Sequence, residues 1–99
     1  MFGWGKKSDV YALVFVYDSK FGNCTYICRE GDYFNKQIVV VDKLGKLYAG
    51  RILGMSEDRP EGIPRNVQFK RIIKPFSMKD VPSLDYWNED IEKVVKESL

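Results

Sequence analysis

The side chains with most to offer chemically are basic, and they are unevenly placed. From Arg59 to Lys79, six basic residues (Arg59, Arg65, Lys70, Arg71, Lys74 and Lys79) stand against one acid, Glu61, for a net +5. From Asp80 to Leu99 the balance reverses, with six acids against Lys93 and Lys96, for a net −4. The whole chain carries only +2, so the signal lies in the asymmetry and not in the total. Three readings follow. The two stretches complement each other within the molecule or are merely solvated. Alternatively the basic stretch contacts nucleic acid, or the acidic one is presented to a basic partner protein. Upstream, Tyr48 and Arg51 add an aromatic ring and a further cation. Single strands of nucleic acid are held by cationic tracks with stacking side chains. The candidate nucleic-acid-contacting set is therefore Tyr48, Arg51, Lys70, Arg71 and Lys74. Within it, Lys70 and Lys74 share a polar strand face, whereas regular alternation turns Arg71 inward with Val67, Phe69 and Ile73.

Catalytic groups are scarce. The chain has no histidine, which removes the commonest general base. Asp32, Asp42 and Asp58 each adjoin turn-forming residues, where a carboxylate serves the turn. No glycine-rich phosphate loop or nucleophile-elbow pattern occurs. Cys24 and Cys28, in CTYIC, lack the second pair that a zinc site needs. On a strand their Cα atoms lie about 13 Å apart. A disulfide spans about 7 Å at most, so two reduced thiols are expected. The chain reads as a binding module and not an enzyme, with no cofactor and no metal site.

The elements that must position these groups are mostly strands. The organising stretch is Gln37 to Met55. Ile38-Val39-Val40-Val41 suits a buried strand, Asp42 to Gly45 a turn with a left-handed glycine, and Leu47 to Met55 the returning strand. Gly50 and Gly54, four apart, point the same way on a regular strand and mark a bend or close approach. Before this hairpin, Val10 to Tyr17 is apolar on both faces, so both need cover. Asp18 to Asn23 is a turn, and Cys24 to Arg29 the partner strand. After it, the Pro- and charge-rich stretch 56–66 is a loop, and Val67 to Phe76 a fifth strand. Ser83 then caps a helix over about 84–99, with Leu84, Trp87 or Tyr86, Ile91, Val94, Val95 and Leu99 at helical spacing. Five strands and a helix predict a mainly β fold, a small five-stranded SH3-like or OB-like barrel with the helix docked on its wall, or alternatively a curved antiparallel sheet with the helix on one face.

Ninety-nine residues make one domain, placed at 10–99, behind a flexible arm at 1–9 that contains Phe2, Trp4, Lys6 and Lys7. No apolar run approaches the roughly 18 residues of a membrane span, and no signal peptide is visible. A cytoplasmic setting is the default expectation.

The block from Tyr11 to Met55 runs strand, turn, CTYIC, Gly31-Asp32, IVVVD and then LYAGRILGM. In this order it resembles the small barrel at the N-terminus of PriA-type replication-restart helicases. It also resembles short bacterial and phage proteins with a similar barrel. The likeness covers about half the chain and implies a barrel fold with DNA as ligand. The expected function is thus contact with nucleic acid, single-stranded or a duplex end, through a basic barrel face. The alternative is a protein-interaction or inhibitor module of a bacterial or phage accessory protein, acting through the acidic helix or an exposed sheet edge.

Overall fold

The computed structural model describes residues 8–99. Five strands run along the chain: β1 (Asp9–Val16), β2 (Asn23–Arg29), β3 (Ile38–Lys43), β4 (Lys46–Ser56) and the short β5 (Lys74–Pro75). A 3-10 turn (Met78–Ser83) and a short helix, α1 (Glu89–Lys96), follow. The strands pair antiparallel in one open sheet, ordered β2-β1-β4-β3-β5. The fold is mainly β with a short C-terminal helix. No helix among the described residues is long and apolar enough to cross a membrane. The expected arm lies outside the described residues except for Ser8 and Asp9, and Asp9 already opens β1.

Alternation along the strands feeds two cores. Val10, Ala12, Val14 and Val16 of β1 point into an inner core with Val39 and Val41 of β3 and Ile52 of β4. Phe15 and Tyr17 point the other way, into an outer core with Ile38, Val40 and Ala49. The β-branched run of β3 is thus buried on both faces, as central strands are. Burying such a side chain contributes roughly 1.5–3 kcal/mol. Cys24 and Cys28 are both free, on β2 opposite Val14 and Val10. Burial pushes the Cys28 thiol up.

The β3–β4 turn has two central residues, Leu44 and Gly45, both with positive φ (55° and 83°). A two-residue hairpin loop needs this to match strand twist. Asp42 serves the turn as expected, its Oδ1 accepting the Gly45 N–H at 3.1 Å. The two glycines of β4 behave differently from a regular strand. The β1–β4 register slips between Leu13 and Val14, so Leu13 faces Gly54 while Val14 faces Ile52. This bulge at Leu53 reverses the alternation. Gly50 sits on the inner face with Val14 and Val16, and Gly54 on the outer face.

The expected fifth strand, Val67 to Phe76, is not one strand. Only Lys74–Pro75 joins the sheet, beside β3. Upstream, the Ile27 N–H donates to the Lys70 carbonyl at 2.9 Å and the Ile72 N–H to the Ile27 carbonyl at 3.0 Å. One residue later, the Ile73 N–H donates to the Val40 carbonyl at 2.9 Å. Residues 70–76 therefore bond first to β2 and then to β3, the two strands bordering the main four-stranded ladder. Ile72 is the buried residue, while Val67 and Ile73 are exposed. That parity puts Arg71 outward, opposite to the expectation.

The helix is also shorter than expected. The Asp85 N–H donates to the Leu47 carbonyl at 2.8 Å, which holds the segment before α1 extended against β4. Pro82 and Ser83 belong to the 3-10 turn, and Asn88 caps α1, its Oδ1 accepting the Ile91 N–H at 2.8 Å. Leu84, Tyr86 and Trp87 still cover the outer core, but from non-helical backbone. Trp87 stacks on Phe76, centroids 5.5 Å apart. Ile91 and Val95 are buried, whereas Val94 and Leu99 are exposed.

Candidate nucleic-acid interface

The five side chains singled out from sequence do not converge on one face. Tyr48 and Arg51 share β4 but have opposite parity. Tyr48 packs partly on the inner core and its hydroxyl donates to Asp85 Oδ2 at 3.3 Å. Burial pushes its phenol up, and the Asp85 charge adds to this. Arg51 lies on the helix side, where Nη2 donates to Ser98 Oγ at 2.6 Å and to the Val94 carbonyl at 3.5 Å. That position suits the negative end of α1.

The three cations of the basic stretch are each held by an acid from another element. Lys70 pairs with Asp42 at 2.6 Å and Lys74 with Asp80 at 2.6 Å. Arg71 makes a two-pronged contact with Asp9, both bonds 2.9 Å. The partner cation's hydrogen bond is the largest cause holding Asp9, Asp42 and Asp80 below the usual carboxylate value. Three of the six cations of residues 59–79 are thus paired within the molecule, and of these only Lys74 pairs with an acid of residues 80–99.

A different basic cluster does converge. The β1–β2 turn and the β3–β4 turn meet around a hollow of about 390 Å³. Lys20, Lys43, Lys46 and Tyr48 line it, together with Asp18, Ser19 and Leu44. Asp18 is its anchor. Oδ2 contacts Lys43 Nζ at 2.6 Å and Oδ1 accepts the Lys20 N–H at 2.9 Å. Burial pushes the Asp18 carboxyl up, but Lys43 and the backbone N–H groups of Lys20 and Phe21 outweigh it, and the net shift is downward. The Asp18 hydrogen bond raises Lys43. Lys46 reaches Asp85 only at 3.9 Å, an exposed contact worth little. The Lys20 ammonium has no ion-pair partner among the described residues. Three ammonium groups against two carboxylates, the buried Asp18 and the exposed Asp85, leave a net positive charge around a phenol that can hold a phosphate-bearing anion.

Of this site only Tyr48 is marked in the sequence. Lys20 and Lys43 sit in stretches whose composition says turn, and Lys46 just beyond one. Their proximity follows from β1 and β3 both pairing with β4, which brings the two tips together. Among the described residues no group of three His, Cys, Asp or Glu side chains is placed to hold a metal. Comparison with protein-family models, curated proteins and solved structures found no match to this chain.

Proposed function

We propose that this chain is a non-enzymatic binding module that takes nucleic acid at the hairpin-tip hollow, on a small SH3-like barrel. The observation that carries the reading is the convergence of Lys20, Lys43 and Lys46 around Tyr48. Ammonium groups supply charge to phosphates from many directions, and a phenol ring offers a base a flat surface. Lys70, Arg71 and Lys74 act in this reading as structural ion pairs. The barrel part rests on residues 70–76, whose bonds to both β2 and β3 are what closing a small sheet requires. The resemblance of Tyr11 to Met55 to the PriA-type barrel points to the same ligand class.

The test is fluorescence anisotropy with a single-stranded oligonucleotide across a salt series. If the three lysines each neutralise one phosphate, log affinity falls with log salt at a slope of about −2. The double variant Lys20→Glu, Lys46→Glu flattens that slope and weakens binding to all sequences alike, because phosphates carry no base identity. Tyr48→Ala costs about 1–3 kcal/mol at unchanged slope. Lys74→Ala leaves the slope as it is. Absence of binding at about 50 mM salt ends this reading.

A further inference from the structure

A second hollow at the β1–β2 turn carries chemistry of the opposite sign. Phe15, Tyr17, Phe21, Asp90, Ile91 and Val94 line about 290 Å³ between the turn and α1. Phe15 and Tyr17 meet edge to face, with centroids 5.4 Å apart. Phe21 completes the group at 5.9 Å from Phe15 and 6.2 Å from Tyr17. The three rings form one continuous aromatic wall.

Three features separate this wall from ordinary core. Phe21 has φ +48°, in the left-handed region that a phenylalanine rarely adopts, and is 44% exposed. That backbone keeps its ring against the other two while leaving it open to solvent. Asp90, in the first turn of α1, is exposed and has no ion-pair or hydrogen-bond partner among the described residues. The Tyr17 hydroxyl likewise has no partner there, and it is not sealed from solvent although the residue as a whole is buried. An unpaired carboxylate thus lies beside an open aromatic surface.

We propose that this hollow docks the guanidinium of an arginine presented by a basic partner protein. Aromatic faces attract cations, and arginine more often than lysine takes that place. A guanidinium is planar and weakly hydrated, so it stacks on a ring while its N–H groups reach a carboxylate. The ammonium of lysine is more strongly hydrated and holds its water. The surroundings favour a basic partner, since Glu89 beside Asp90, like Glu97 at the end of α1, has no ion-pair partner among the described residues, whereas Glu92 is taken by Lys96. Lys93 and Lys96 on α1 and Lys20 in the turn are the nearby cations in sequence; Lys96 pairs with Glu92 at 3.3 Å, and none of the three lines the hollow. Arg51 reaches the Val94 carbonyl but ends at Ser98, so the chain's own arginine does not fill the site.

The test is an NMR titration of the full chain with N-acetyl-arginine amide, with the citrulline amide as the uncharged isostere. Arginine amide produces saturable shifts at Phe15, Tyr17, Phe21 and Asp90 below about 50 mM, and citrulline amide does not. Asp90→Asn and Phe21→Leu each weaken the arginine response about two- to fivefold. Both positions are exposed, and amide dispersion of the sheet confirms that each variant is folded. Three outcomes overturn the proposal: no saturable shifts, an equal response to citrulline amide, or an oligonucleotide perturbing this hollow in place of arginine amide.

Discussion

Gly50 shows what a single residue decides here. A Cβ added there meets Val14 Cγ1 at 2.6 Å and the Phe15 carbonyl oxygen at 3.1 Å. Val14 is fully buried and cannot swing away, so β1 and β4 have to separate locally. Gly50→Ala is expected to cost about 1–3 kcal/mol, the range of overpacking in a close-packed core. Gly54 is the internal control. Its added Cβ meets nothing within 4 Å, so Gly54→Ala falls within about 0.5 kcal/mol of the parent or slightly stabilises. Urea denaturation midpoints separate the two. Equal effects would place the bulge elsewhere than Leu53. A glycine pair at a spacing of four reads as one feature only while alternation is unbroken. The bulge makes it two, one a close approach and one a solvent-facing position.

The elements differ in how much of them can be read from residues. β1 to β4 are legible because each carries a run rich in β-branched or apolar residues bounded by turn residues, and the apolar face of one demands the next. Residues 67–76 are not, because the segment bonds to one bordering strand and then to another, and its parity is set by partners remote in sequence. The helix is legible in kind and not in extent. Leu84 and Trp87 keep helical spacing to Ile91, yet the Asp85 to Leu47 hydrogen bond and the Asn88 cap place the start at Glu89. The same limit applies to the basic hollow, whose lysines sit at or beside turns that only the sheet order brings together. For α1 the consequence is unequal apolar residues on one short helix. Ile91 is sealed in the outer core and Val94 is exposed. Ile91→Ala is expected to destabilise by about 2–4 kcal/mol, and Val94→Ala by under about 0.5 kcal/mol. Thermal or urea unfolding of both variants checks this. Parent-like stability for Ile91→Ala would make α1 an appendage and not part of the core.

At the scale of the whole molecule, charge ties the elements to one another. Asp9–Arg71 links β1 to residues 70–76, Asp42–Lys70 links β3 to the same segment, Asp80–Lys74 links the 3-10 turn to β5, and Asp18–Lys43 links the β1–β2 turn to the end of β3. All four carboxylates sit below their ordinary value of 3.8 in the folded state. The unfolded chain therefore takes up protons first as pH falls. The stability these groups contribute is fully present above that value and is lost as pH drops through the lower folded values. With no histidine, no side chain of unperturbed pKa titrates in the neutral range, so stability is level between about pH 5 and 8. The four pairs do not weigh equally. The Asp9 and Asp42 side chains are 51% and 29% exposed, and solvent screens them more. Asp18 and Asp80 have side chains only 10% and 8% exposed, so their charges are costly to leave unpaired. Melting temperature measured from pH 7 down to about pH 2.5 is thus expected to stay level and then fall below about pH 4. Asp18→Asn and Asp80→Asn each lower the neutral-pH plateau and shrink the acid-side drop, because the variant no longer loses a charge that the parent loses. Asp9→Asn changes both far less. A melting temperature that holds down to pH 2.5 in the parent would mean that these pairs ornament the surface and that the two apolar cores alone hold the sheet.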